Sequence, residues 1–125
     1  MTIHVIDDDS LYAEFMKRSL GQNPDYNITL FESAEAWLEA SLPIPDAIIS
    51  DLFLTGLSGI ELYDRIKPRL KPENKFILIS SINDGKRVLE FIKKGIRDYV
   101  IKDDTTVGSL RSILEGKEDE YYLFD

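Results

Sequence analysis

The run Asp7-Asp8-Asp9 follows a short apolar segment, and a further acid, Asp51, closes another. Two later apolar segments run into hydroxyls, Ser80-Ser81, and into an ammonium, Lys102. An acid closing a very apolar segment needs a partner, because a bare charge is expensive to bury. Two carboxylates about 4 Å apart repel by roughly 4 kcal/mol at an effective dielectric of about 20, so a cation is required among them. Oxygen donors with no histidine or cysteine suit Mg²⁺, a hard ion that keeps several waters and takes one or two carboxylates. Each residue also has a plain alternative. An acidic triplet is ordinarily a solvated loop, a serine at a strand end a turn residue, and a lysine a surface charge. The joint placement of all of them is what argues for a site.

The elements that must position these groups alternate along the chain. Short runs rich in Ile, Val, Leu and Phe read as buried strands at Ile3–Ile6, Ile28–Phe31, Ala47–Ile49, Phe76–Ile79 and Tyr99–Ile101. Between them lie stretches with helical spacing. Leu11, Phe15 and Leu20 suggest one apolar face, starting near Ser10 and stopping at Gly21. Ala34, Trp37 and Leu38 suggest a second, with Ser33 as N-cap and Pro43 and Pro45 closing the stretch. Leu62, Ile66 and Leu70 form a third, and Val88, Phe91 and Ile92 a fourth stopped by Gly95. Val107, Leu110, Ile113 and Leu114 form the last, ending at Gly116.

Strict βα alternation implies a parallel sheet with helices on both faces and right-handed crossovers. In such a sheet the site lies beyond the carboxyl ends of the strands, where the strand order switches. A strand order of 2-1-3-4-5 makes the four strands with chemically loaded ends neighbours and leaves the second, ending in Phe31-Glu32, at the edge. Asp7 and Asp8 can share a site only if the strand has opened into a loop there, since successive strand residues point to opposite faces. The lone His4 falls inside a predicted strand and is expected to be structural.

These segments resemble the receiver domains of two-component response regulators. Ile3 through Asp9 is similar to their first strand and acidic pair, and Ile48-Ile49-Ser50-Asp51-Leu52, with Gly59, to the segment around their phosphorylated aspartate. Ile77 through Ser81 looks like their fourth strand, and Gly95 through Lys102 like the approach to their lysine. The resemblance runs from Thr2 to about Gly116 and implies the flavodoxin-like receiver fold, of the kind found in chemotaxis regulators. It implies phosphorylation of Asp51 by a sensor histidine kinase or a histidine phosphotransfer protein. It also implies Mg²⁺ bound directly by Asp8 and Asp51, mostly through water by Asp7, and by the backbone carbonyl of Phe53. Lys102 and Ser80 would hold the phosphoryl oxygens. Tyr99 would turn inward as the fourth helix, fifth strand and fifth helix, about residues 84–116, change shape. One departure stands out. Many receivers have proline after the lysine, whereas Asp103 follows Lys102 here, as in some receivers joined to helix-turn-helix output domains.

Composition sets the frame. With 125 residues and 43% hydrophobic side chains, the chain suits one globular domain, residues 1–116, followed by an acidic and aromatic tail or linker start, 117–125. A formal charge of -8 argues against direct nucleic-acid binding. No leader and no membrane span is read from the sequence, so a cytoplasmic setting is expected. The reading leaves room for an output domain or protein target, and for a homodimer on the fourth-to-fifth-helix face. Two other readings compete. One is a haloacid-dehalogenase-like phosphatase with Asp7 as nucleophile. The other is an interaction module with the receiver fold but no phosphotransfer. On the receiver reading the chain is not a turnover enzyme; it would catalyse only its own phosphorylation and dephosphorylation.

Overall fold

The computed structural model describes residues 1–81 and 85–117. The expected tail, 117–125, lies outside the described residues from 118 onward, as does residue 84 at the start of the expected switch face. The strands are β1 (Thr2–Ile6), β2 (Asn27–Phe31), β3 (Ala47–Asp51), β4 (Lys75–Ser80) and β5 (Asp98–Ile101). The helices are α1 (Ser10–Leu20), α2 (Ala34–Glu39), α3 (Gly59–Ile66), α4 (Gly85–Lys94) and α5 (Thr106–Leu114), with a 3₁₀ turn at Lys67–Arg69. All strand pairs are parallel, and the order is β2-β1-β3-β4-β5, the expected order, with which the strand-end chemistry agrees.

Strand side chains alternate between two cores. Val5, Ile49, Ile77 and Ile79 pack with Met16 and Leu20 of α1 and with Leu110, Ile113 and Leu114 of α5. Ile6, Ile48 and Leu78 face the other way, against Trp37 of α2, Leu62 and Ile66 of α3 and Phe91 of α4. Each such aliphatic side chain contributes about 1.5–3 kcal/mol when fully buried. Every residue of β3 is buried, Asp51 included, so the central strand delivers a carboxylate to the sheet edge with little water around it.

The first helix differs from expectation. Its buried face is Ala13, Met16 and Leu20, whereas Leu11 is 83% and Phe15 52% exposed. At about 100° per residue, Leu20 lies roughly 140° from Phe15, so those three could not share a stripe, while Ala13, Met16 and Leu20 do. Asp9 fixes that phase as N-cap, its carboxylate accepting the Tyr12 N–H. The fourth helix is similar: Phe91 is buried, Val88 is half-buried and Ile92 is exposed. The expected face of the third helix holds for Leu62 and Ile66, while Leu70 is half-buried beyond the 3₁₀ turn.

His4 is structural. It is buried in β1, and its Nδ1 accepts a hydrogen bond from Trp37 Nε1 at 2.9 Å. Burial holds its pKa below the ordinary value, which keeps the ring neutral and able to accept. The pair bolts α2 onto the sheet next to the edge strand. Trp37→Phe should leave Nδ1 without a donor and cost about 1–3 kcal/mol, read as a lower urea midpoint with an unchanged slope. A midpoint equal to that of the wild type would refute the structural role of this bond.

Candidate functional site at the carboxyl edge of the sheet

Three chain crossings form the site. The sheet bonding of β1 ends with the Asp7 N–H donating to the Phe31 carbonyl, and the chain then opens into the loop that Asp7 and Asp8 require. The Asp9 N–H returns to Asp7 Oδ1 at 2.9 Å, so the residue that caps α1 also fixes the Asp7 carboxylate. Asp51 closes β3, and its Oδ1 accepts the Phe53 N–H at 3.1 Å. Gly59 starts α3 directly against the Asp51 carbonyl, where any Cβ would collide with it. After β5, the Lys102 N–H still bonds to the Ser80 carbonyl at 2.8 Å, which keeps the lysine in register with β4.

The turn after Lys102 holds itself together without proline. The Lys102–Asp103 peptide is trans. Asp103 donates its N–H to Thr106 Oγ1, and its Oδ1 accepts both the N–H and the hydroxyl of Thr105. Those Thr105 bonds, the hydroxyl first, hold the Asp103 carboxyl below the usual range. The buried Thr106 is thus part of the lysine's mounting.

The charges then converge. Lys102 Nζ lies 2.7 Å from Asp51 Oδ2, 3.5 Å from Asp7 Oδ2 and 4.2 Å from the centre of the Tyr12 ring. Burial alone would push the lysine pKa down. The hydrogen bond and charge of Asp51, helped by Asp7 and then Tyr12, override it and hold the ammonium above its ordinary value. Asp7 goes the opposite way to a typical paired acid. Burial raises its pKa, the Asp9 N–H and Lys102 offset part of that, and the charge of Asp51 adds to it. Its Oδ2 feels the ammonium at ion-pair distance yet is buried without a hydrogen bond.

Asp7, Asp51 and Lys102 are therefore brought together. Asp8 has partners of its own: its Oδ2 accepts the N–H and the hydroxyl of Thr55, each at 3.0 Å. Among the described residues, no three His, Cys, Asp or Glu side chains are gathered as a metal-holding group. The donor chemistry still fits a hard cation, because the buried, unbonded Asp7 Oδ2 is the kind of atom that a divalent ion would satisfy. Ser80 is buried at the end of β4. Tyr99 is half-buried and stacked on Phe91, with ring centroids 5.7 Å apart. Phe53 is exposed beside Asp51.

Sequence reading missed Tyr12, Thr55 and Thr106. Only Thr106 left a local signal, in the Asp103-to-Thr106 turn pattern. Among the described residues, no helix is long and apolar enough to cross a membrane.

The family described as response regulator receiver domain matches residues 3–114, and the chain belongs to it. The transcriptional regulatory protein FixJ of Bradyrhizobium diazoefficiens is 29% identical over 120 residues, covering 93% of this chain and 58% of FixJ. The nitrate/nitrite response regulator NarL of Escherichia coli is 25% identical over 124 residues, covering 98% of this chain and 57% of NarL. The chain thus spans a little over half the length of both. The receiver domain of the putative response regulator NarL from Mycobacterium tuberculosis has the same fold. It superposes with a TM-score of 0.79 at 22% identity over 94% of this chain and 95% of that one. These similarities define a receiver in general and do not single out the chemotaxis type. A receiver is a phosphoryl-accepting switch that acts on itself and does not turn over a substrate, which sets the phosphatase reading aside.

The stranded Asp7 oxygen has a measurable consequence. A carboxyl whose folded pKa is raised makes stability fall as pH rises through the window between its unfolded and folded values. In metal-free buffer at neutral pH, Asp7→Asn should be more stable than the wild type by about 1–3 kcal/mol in urea. The gain should shrink as the pH is lowered through that window. A less stable Asp7→Asn would contradict the assignment of Asp7 as a destabilising charge.

Proposed function

We propose that Asp51 is the phosphoryl acceptor and that Mg²⁺ is held at this edge by Asp7, Asp8, Asp51 and the backbone carbonyl of Phe53. The observation that carries the reading is the 2.7 Å contact between Asp51 and Lys102 at the end of a fully buried central strand. An oxygen of Asp51 attacks the phosphorus of a phosphohistidine, the P–N bond breaks, and the imidazole leaves with a proton. The transition state is loose, so the site's task is to place groups and stabilise charge. The Lys102 ammonium and the Ser80 hydroxyl hold phosphoryl oxygens, and Asp7 balances the local charge beside them. When bound, Mg²⁺ supplies neutralisation of the phosphoryl oxygens.

The donor is a sensor histidine kinase or histidine phosphotransfer protein in the cytoplasm. Leu11 and Phe15, exposed on α1 next to the site, support this by offering an apolar landing surface. The phosphoryl group adds about two negative charges. It shifts the equilibrium of the α4-β5-α5 face, where the stacked Tyr99 and Phe91 join β5 to α4. That face controls an output domain or protein target. The exposed Leu89 and Ile92 of α4 suit a homodimer formed there on phosphorylation.

Incubation with acetyl phosphate and Mg²⁺, followed by peptide-level mass spectrometry, should place one phosphoryl group on Asp51. Asp51→Asn and chelation of Mg²⁺ should each abolish the label. Labelling at Asp7, or persistence in Asp51→Asn, would defeat the proposal. Failure of any labelling with both donor and metal present would favour the interaction module without phosphotransfer.

A further inference from the structure

We infer that Thr55 sets the cation affinity of the acidic site, by holding the Asp8 carboxylate until a divalent ion pulls it free. The inference rests on the Mg²⁺ reading above. Thr55 places two donors, its N–H and its hydroxyl, on the single oxygen Asp8 Oδ2, each at 3.0 Å. Hydrogen bonds to an ionised carboxylate are stronger than neutral ones. The contact ties the loop after β1 to the loop after β3, across 47 positions of sequence. Among the described residues, no three acidic side chains are gathered as a metal-holding group.

The Thr55 loop is fixed from its other side and cannot follow Asp8 inward. Glu35 of α2 accepts the Leu57 N–H on Oε2 at 3.0 Å. Between them Gly56 has φ +85° and lies against the same carboxylate, in space where a Cβ would collide with Glu35 Oε2. One residue further on, Ser58 and Glu61 form a reciprocal capping box that pins the start of α3. A cation that takes Asp8 through Oδ2 must therefore break the Thr55 bonds rather than drag the loop along. Thr55 and the ion compete for one carboxylate, and each bond Thr55 makes weakens the ion's apparent hold.

The opposite arrangement is common at metal sites, where a second donor orients a ligand and strengthens binding. The two differ in sign, so affinity decides between them. Mg²⁺ should be titrated calorimetrically into the full chain as wild type, Thr55→Val and Thr55→Ser. The valine variant lacks the hydroxyl and should bind about tenfold more tightly, equivalent to about 1.4 kcal/mol. The serine variant keeps both donors and should stay within about twofold of the wild type. In the wild type, the Thr55 amide signal should move on saturation with Mg²⁺ as its bond to Asp8 is lost. Equal or weaker binding by Thr55→Val, or a static Thr55 amide, overturns the inference while leaving the metal reading intact. Wild type that binds no Mg²⁺ overturns both.

Discussion

The site depends on one ammonium placed between carboxylates that would otherwise repel each other. Lys102 lies against Asp51 and within ion-pair reach of Asp7, all three drawn from the carboxyl ends of strands. The Tyr12 ring closes another side of the ammonium. In this setting the lysine acts as the resident counter-ion of an anionic pocket. An arriving divalent cation and phosphoryl group would change the partners available to it, and that redistribution is the physical content of a switch.

The mounting of these groups is stiff where the chemistry needs it. β3 is buried over its whole length, Gly59 lets α3 start against the Asp51 carbonyl, and Lys102 keeps a sheet bond to Ser80. The turn after Lys102 replaces a proline's rigidity with the bonds among Asp103, Thr105 and Thr106. Asp8 differs: one of its oxygens takes both donors of a single residue, Thr55, in the loop after β3. The site thus combines two fixed carboxylates with one that has an alternative partner.

Much of this was legible in the sequence because it follows from local alternation and from strand-end residue types. Five apolar runs separated by helical spacing imply the parallel sheet, and the polar residues closing those runs mark its working edge and fit its strand order. The phase of α1 was misread because Leu11 and Phe15 are large and apolar, yet the geometry of a helix capped by Asp9 buries the smaller Ala13 and the later Met16. Their exposure gives the site an apolar flank. The partners of Asp8 and His4 were not legible, since Thr55 and Trp37 are separated from them by 47 and 33 positions and join them only through the fold. That His4 would be structural could be read from its place in a strand. Which donor would satisfy it could not.

The most direct test of the electrostatic account is a ¹³C NMR titration of the Asp7 carboxyl, without metal, in the wild type and in Lys102→Met. The account predicts that Asp7 titrates above the ordinary aspartate range in the wild type and higher still once the ammonium is gone. An Asp7 midpoint that does not move on loss of Lys102 would show that the lysine is not the counter-ion of this pocket, and the account would fail.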